Sequence, residues 1–123
     1  MTTAFHCILL AGLLPYAATL TAKAGVKFDN NHPRDWLAKQ EGWRRRANAA
    51  QSNAFEAFPL FAAGVIVAHL THAPQGRVDL LAMVFIAARV AFLGAYLADV
   101  APLRSIVWLL GLVCSVALFF QGA

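Results

Sequence analysis

Seven polar side chains stand out in an otherwise apolar chain: Arg46, Asn53, Glu56, Arg89, Tyr96, Arg104 and Ser105. Arg46, Asn53 and Glu56 are spaced by seven and then three residues, which places them on one face of a helix. Arg89, Phe92 and Tyr96, spaced by three and four, form a second stripe. If the two faces meet, Glu56 neutralises Arg89, with Asn53 and Tyr96 as hydrogen-bonding neighbours. Ionisable groups inside a membrane are costly and mark functional sites by default, although an internal ion pair can also serve only to fix helix register. Arg104-Ser105 and the run Arg44 to Arg46 gather further donors at one end of the chain's helices. Several arginines at the mouth of a bundle suit an anionic, carboxylate-bearing ligand, because a guanidinium binds a carboxylate through two parallel hydrogen bonds. Arg44 and Arg45 read as anchors against lipid headgroups. Arg46, on the face of Asn53 and Glu56, reads as a binding residue.

Other reactive side chains carry less. His69 and His72 are three residues apart and His6 is remote, but no carboxylate or cysteine joins them at ligand spacing, so no metal site is expected. Cys7 and Cys114 each fall within an apolar run and are expected to pack there rather than to form a disulfide or bind metal.

The elements that must hold these groups follow from composition. The chain has 123 residues, 60% hydrophobic and 13% charged, with a net charge of +4. Soluble domains carry about 25% charged residues, so the composition argues against a water-soluble globule. Four runs are long and apolar enough to cross a hydrocarbon core of about 30 Å, which takes roughly 20 helical residues. They give spans at about 3–22, 50–73, 79–98 and 104–121. Turn-forming sequences separate them: Asp29-Asn30-Asn31-His32-Pro33, Ala73-Pro74-Gln75-Gly76, and Pro102. The expected fold is an all-α integral membrane protein, one domain over residues 1–123, built as an antiparallel bundle of four transmembrane helices. Ala22-Lys23-Ala24 resembles a signal-peptidase site, but no basic segment precedes the first apolar run, so that run is expected to stay as a span.

The charge is unevenly placed. Lys23 to Arg46 holds seven of the ten Lys/Arg and three of the six Asp/Glu, which accounts for the whole net charge. A basic segment confined between two spans argues for topology rather than for a nucleic-acid partner. The side carrying this loop and the Asp99–Arg104 connection has eight Lys/Arg, and the opposite side has only Arg77. The positive-inside rule then puts the long loop in the cytoplasm and both termini outside, as for a protein of a bacterial inner membrane.

The run Arg46-Ala47-Asn48-Ala49-Ala50-Gln51-Ser52-Asn53-Ala54-Phe55-Glu56-Ala57-Phe58-Pro59-Leu60-Phe61 resembles the second-helix signature of the superfamily of membrane-associated proteins in eicosanoid and glutathione metabolism (MAPEG). Ala88-Arg89 followed by Phe92 and Tyr96 is similar to the family's Ala-Arg pair and two aromatic positions. Ala101-Pro102-Leu103-Arg104-Ser105 resembles the start of the fourth helix in its prostaglandin synthase branch, and Asn31-His32-Pro33-Arg34 the loop of short bacterial members. The resemblance covers nearly the whole chain. It implies a homotrimer with glutathione as co-substrate, bound between neighbouring subunits near the cytoplasmic face. It also implies that Arg46, Asn53, Glu56, Arg89 and Tyr96 contact glutathione, and that Arg104, with Ser105 beside it, stabilises the glutathione thiolate. The second substrate would be a lipophilic small molecule arriving through the bilayer. Two positions depart from the family pattern: Ala49 stands where a second arginine is common, and Phe92 where a tyrosine is usual. The separation of Tyr96 from Arg104 is also shorter than in some active members.

Three functions follow as expectations. The first is a glutathione-dependent transferase or peroxidase. The second is a non-catalytic MAPEG-like membrane protein, which Ala49 and Phe92 keep open. The third is a small proton-coupled multidrug exporter, which fits less well because such proteins carry their essential glutamate in the first span, where this chain has no carboxylate.

Overall fold

In α1 (Thr3–Lys23), Ala4, Cys7, Ala11, Pro15, Ala18 and Ala22 are buried, at steps of three or four residues. This stripe of small side chains lets a neighbouring helix approach closely, which is how helices associate where lipid removes the hydrophobic drive between them. The opposite face, with Leu9, Leu10, Leu13 and Leu20, is exposed and equally apolar. A helix apolar all round is a membrane helix.

The computed structural model describes residues 1–122. The remaining elements are a short α2 (Pro33–Ala38), α3 (Gly42–Leu70), α4 (Gln75–Leu97) and α5 (Ala101–Leu118). α1, α3, α4 and α5 are each long and apolar enough to cross a membrane, and no strand occurs among the described residues. The protein is an all-helical integral membrane protein. α3 starts at Gly42, ahead of the expected position 50, because Trp43 to Ala49 contain no helix breaker and this turn packs on α1 and α2. It ends at Leu70 rather than 73, where Thr71 caps it. The basic loop contains α2, which follows the turn-forming Asp29–His32 and opens with Pro33 in its first turn, where the missing N–H costs nothing.

α3 and α4 pack on each other, and each also packs on both α1 and α5, so these two form the centre of the bundle. Near the α3–α4 turn the core is Phe61, Val65, Val78, Phe85 and Leu118, closed by Ala4, Cys7 and Ala11 of α1. Phe61 and Phe85 stack almost parallel with ring centres 3.9 Å apart. Asp79 of α4 accepts a hydrogen bond from the Ala4 backbone N–H at 2.9 Å, satisfying one of the free donors at the start of α1 and tying that span into the bundle. Pro15 and Pro59 sit inside α1 and α3. Neighbouring helices tolerate such breaks in the backbone ladder within a membrane.

Gly64 sets the approach of α3 to α5. A Cβ there would lie 2.9 Å from the Ser115 carbonyl oxygen and 3.1 Å from Leu118 Cβ. Neither atom is the free end of a flexible chain, so Gly64→Ala forces the helices apart. The expected cost is about 1–3 kcal/mol, to be read as a lowered unfolding midpoint in detergent. Gly64→Ala as stable as the parent would mean the two helices separate without penalty.

Candidate functional site

Arg89 lies on the inner face of α4 and is only 4% exposed, one of two buried polar residues among the described residues. A buried guanidinium needs acceptors. Its Nη2 donates to Asn53 Oδ1 of α3 at 2.6 Å, and its plane lies 4.3 Å over the Phe92 ring. Its stem runs beside α5, where a Cβ at Gly111 would be 3.6 Å from Arg89 Cδ. The ion pair expected with Glu56 is not formed. Glu56 is exposed on the outer flank of α3, while the neutral Asn53 amide takes the guanidinium. Three residues advance a helix by about 300°, so Glu56 points some 60° away from Asn53. Asn53 therefore reaches the guanidinium and Glu56 does not.

Glu56 and Arg89 nevertheless face the same space. A cleft of about 190 Å³ between α3, α4 and α5 is lined by Asn53, Glu56, Arg89 and Ser115, with Leu60, Phe85, Trp108 and Leu112 as its apolar walls. Asn53 and Trp108 also line a more open groove of about 480 Å³, which takes in Phe92, Tyr96, Arg104 and Ser105. The Arg104 guanidinium rests 4.6 Å from the centre of the Tyr96 ring, and Phe92 meets Tyr96 edge-on at 5.5 Å. Six of the seven residues singled out in the sequence therefore meet along one flank of the bundle.

Arg46 does not join them. Its Nε and Nη2 donate to the Leu97 carbonyl at 3.3 and 3.0 Å. The last carbonyls of a helix have no partner within it and carry partial negative charge, so Arg46 holds the end of α4, next to Tyr96. Phe92 is buried, covering the Arg89 guanidinium with its face. His69 packs on the Phe5 ring at 4.9 Å. Cys7 and Cys114 are free thiols buried in the same core cluster.

Trp108 and Ser115 belong to this flank and escaped the sequence reading. Their signal was phase: Arg104, Trp108, Gly111 and Ser115 follow one another at helical steps of four, three and four. The fourth span has no charge beyond Arg104 to draw attention to that face.

The combined site offers a buried cation held by a neutral amide, a half-buried cation beside a hydroxyl, an exposed carboxylate and an apolar wall. Such a set suits a ligand that carries carboxylates, an ammonium group and an apolar partner. The family model described as "MAPEG family" matches residues 3–123. No curated protein matches the chain.

Proposed function

The chain belongs to the MAPEG family, and from that membership we propose that it is a membrane-embedded, glutathione-dependent transferase or peroxidase acting on lipophilic electrophiles. The observation that carries this reading is the flank on which Arg104, Ser105, Tyr96 and Asn53 adjoin the cleft of Arg89 and Glu56. Glutathione bears two carboxylates, one ammonium and a thiol. Arg89 carries a charge that Asn53 solvates without neutralising, so a ligand carboxylate is a fitting second partner. Glu56, exposed on the same flank, suits the ammonium group.

Arg104 takes the thiolate. A thiol of pKa about 8.5 is mostly protonated at neutral pH, and a nearby cation favours the nucleophilic anion. The Ser105 hydroxyl lies in the same groove and donates to the sulfur or to a polar group of the peptide. In transfer, the thiolate attacks an electrophilic carbon, a C–S bond forms, and the leaving group departs with the bonding pair. In peroxide reduction, two thiols become a disulfide while the O–O bond breaks to give an alcohol and water. The walls of Leu60, Trp108 and Leu112 receive the apolar substrate from the lipid side.

The working unit in this reading is a homotrimer, in which a neighbouring subunit covers the exposed flank holding Glu56. The basic loop faces the cytoplasm of a bacterial inner membrane, where glutathione is abundant and reduced. Arg46, fixed on Leu97, acts as a positioning residue for the Tyr96 end of α4.

Purified protein, shown to be trimeric in detergent, is to be assayed with millimolar glutathione against a chlorodinitrobenzene and against an organic hydroperoxide. Conjugate or disulfide formation above the uncatalysed rate is expected. Failure to bind millimolar glutathione overturns the proposal. Proton-driven dye efflux abolished by Glu56→Gln would establish the exporter function instead.

A further inference from the structure

The segment between α1 and α3 takes no part in the chemistry proposed above, yet it is folded and docked. Leu37 of α2 is buried against Ala22 of α1 and Ala47 of α3, with Trp36 packed alongside. Arg44 Nη2 donates to the Ala24 carbonyl at 2.8 Å, and its guanidinium lies 4.1 Å over the Trp43 ring. Just before that carbonyl, Lys23 Nζ stands 3.9 Å over the Phe28 ring, and Phe28 meets Trp36 edge-on at 5.1 Å. Lys27, Phe28, Asp29, Asn30, Asn31 and Trp36 surround an open concavity of about 460 Å³.

The depth of this concavity is fixed by its neighbours. α1 has 21 residues, about 31 Å at 1.5 Å per residue, which matches a hydrocarbon core of about 30 Å. Ala22, at its end, is level with Ala47, and Leu97, at the end of α4, is level with Arg46. The first turn of α3, Gly42 to Arg45, and the loop packed on it therefore stand in the headgroup layer. Aromatic rings and Lys/Arg are the side chains that settle in that layer, and basic residues there attract anionic lipids.

We propose that this concavity is a seat for the headgroup of an anionic phospholipid. The Lys27 ammonium meets the phosphodiester, Lys23 supports it from beside Phe28, and the Asn30 and Asn31 amides bond to the headgroup's hydroxyls. Phe28 and Trp36 flank the start of the acyl chains. The one acid in the lining, Asp29, is engaged locally, its Oδ1 accepting from the Asn31 backbone N–H at 3.0 Å. The surrounding segment still carries seven basic against three acidic residues. A bound lipid would hold the loop on α3 and set the depth of the subunit. This inference stands on the membrane reading alone and does not depend on glutathione.

Native mass spectrometry of the detergent-solubilised full chain tests it, with phosphatidylglycerol and phosphatidylcholine of equal chain length offered in competition. Phosphatidylglycerol is expected to be retained at least tenfold better. Lys27→Gln should lower that preference roughly fivefold, at about a factor of five per basic residue, and adding Lys23→Gln should abolish it. Lys39→Gln, in the same loop but outside the concavity, should change it less than twofold. Inorganic phosphate at millimolar concentration should fail to displace the lipid. Equal retention of the two lipids, an equal loss with Lys39→Gln, or displacement by phosphate alone would each overturn the proposal. Unchanged helical circular dichroism in each variant confirms that folded proteins are compared.

Discussion

Arg104→Ala is expected to slow glutathione conjugation at neutral pH by about 10²–10³-fold, the typical effect of losing one donor to a developing or resident anion in a sheltered site. Among the described residues Arg104 rests on the face of Tyr96, at 4.6 Å, and lines the open groove, so its charge is available to a ligand rather than consumed by the fold. For the same reason the unfolding midpoint should barely move. The pH profile identifies the role. Without the cation, the thiol pKa returns toward about 8.5, so the defect is largest near pH 7 and shrinks as the pH passes 8.5 and thiolate forms unaided. Arg104→Lys restores part of the rate, because an ammonium supplies the charge without the planar fork. A rate defect constant from pH 7 to pH 9 would show that Arg104 binds the peptide rather than the thiolate.

Asn53→Leu should be the most damaging substitution for stability. It removes the Oδ1 that accepts from Arg89 at 2.6 Å and leaves a 4%-exposed guanidinium without that acceptor. Breaking a buried charged contact from one side costs about 3–5 kcal/mol, measurable as a fall in the denaturant needed to unfold the protein in mixed micelles. Asn53→Asp keeps an acceptor of the same shape and adds the opposite charge, so it should remain close to the parent. Adding Arg89→Leu to Asn53→Leu should recover most of the loss, since two apolar side chains of similar volume leave nothing unpaired. Equal stability of Asn53→Leu and the parent would mean that water or lipid solvates Arg89 as well as Asn53 does.

These predictions mark where sequence reasoning reached its limit. Helical phase grouped Asn53 with Glu56 on one stripe and set Arg89 on a second, and the structure brings all three to one cleft. Phase could not decide which of the two α3 residues faces Arg89, because that depends on how closely α3 meets α4 around the stacked Phe61 and Phe85. Arg46 shares the phase of Asn53 but lies two turns away, level with the last carbonyls of α4, and local electrostatics draw it there. Trp108 and Ser115 were hidden because an apolar span gives no contrast between its faces. The charge of the basic loop carries a topological signal, whereas its docking through Leu37 between α1 and α3 depends on a contact no charge pattern encodes.

By itself the sequence determined that the chain carries four helices able to cross a membrane, and which few polar groups the bilayer must tolerate. Those properties are local. Each span must satisfy its own backbone hydrogen bonds and its own transfer into lipid, whatever its neighbours do. Only the tertiary structure decided that Asn53 rather than Glu56 holds Arg89, that Arg46 ties down α4, and that Arg104 rests on the face of Tyr96. Those outcomes depend on distances between helices far apart in sequence. Small residues such as Gly64, at the contact of α3 with α5, set those distances, and they carry no chemistry of their own to read.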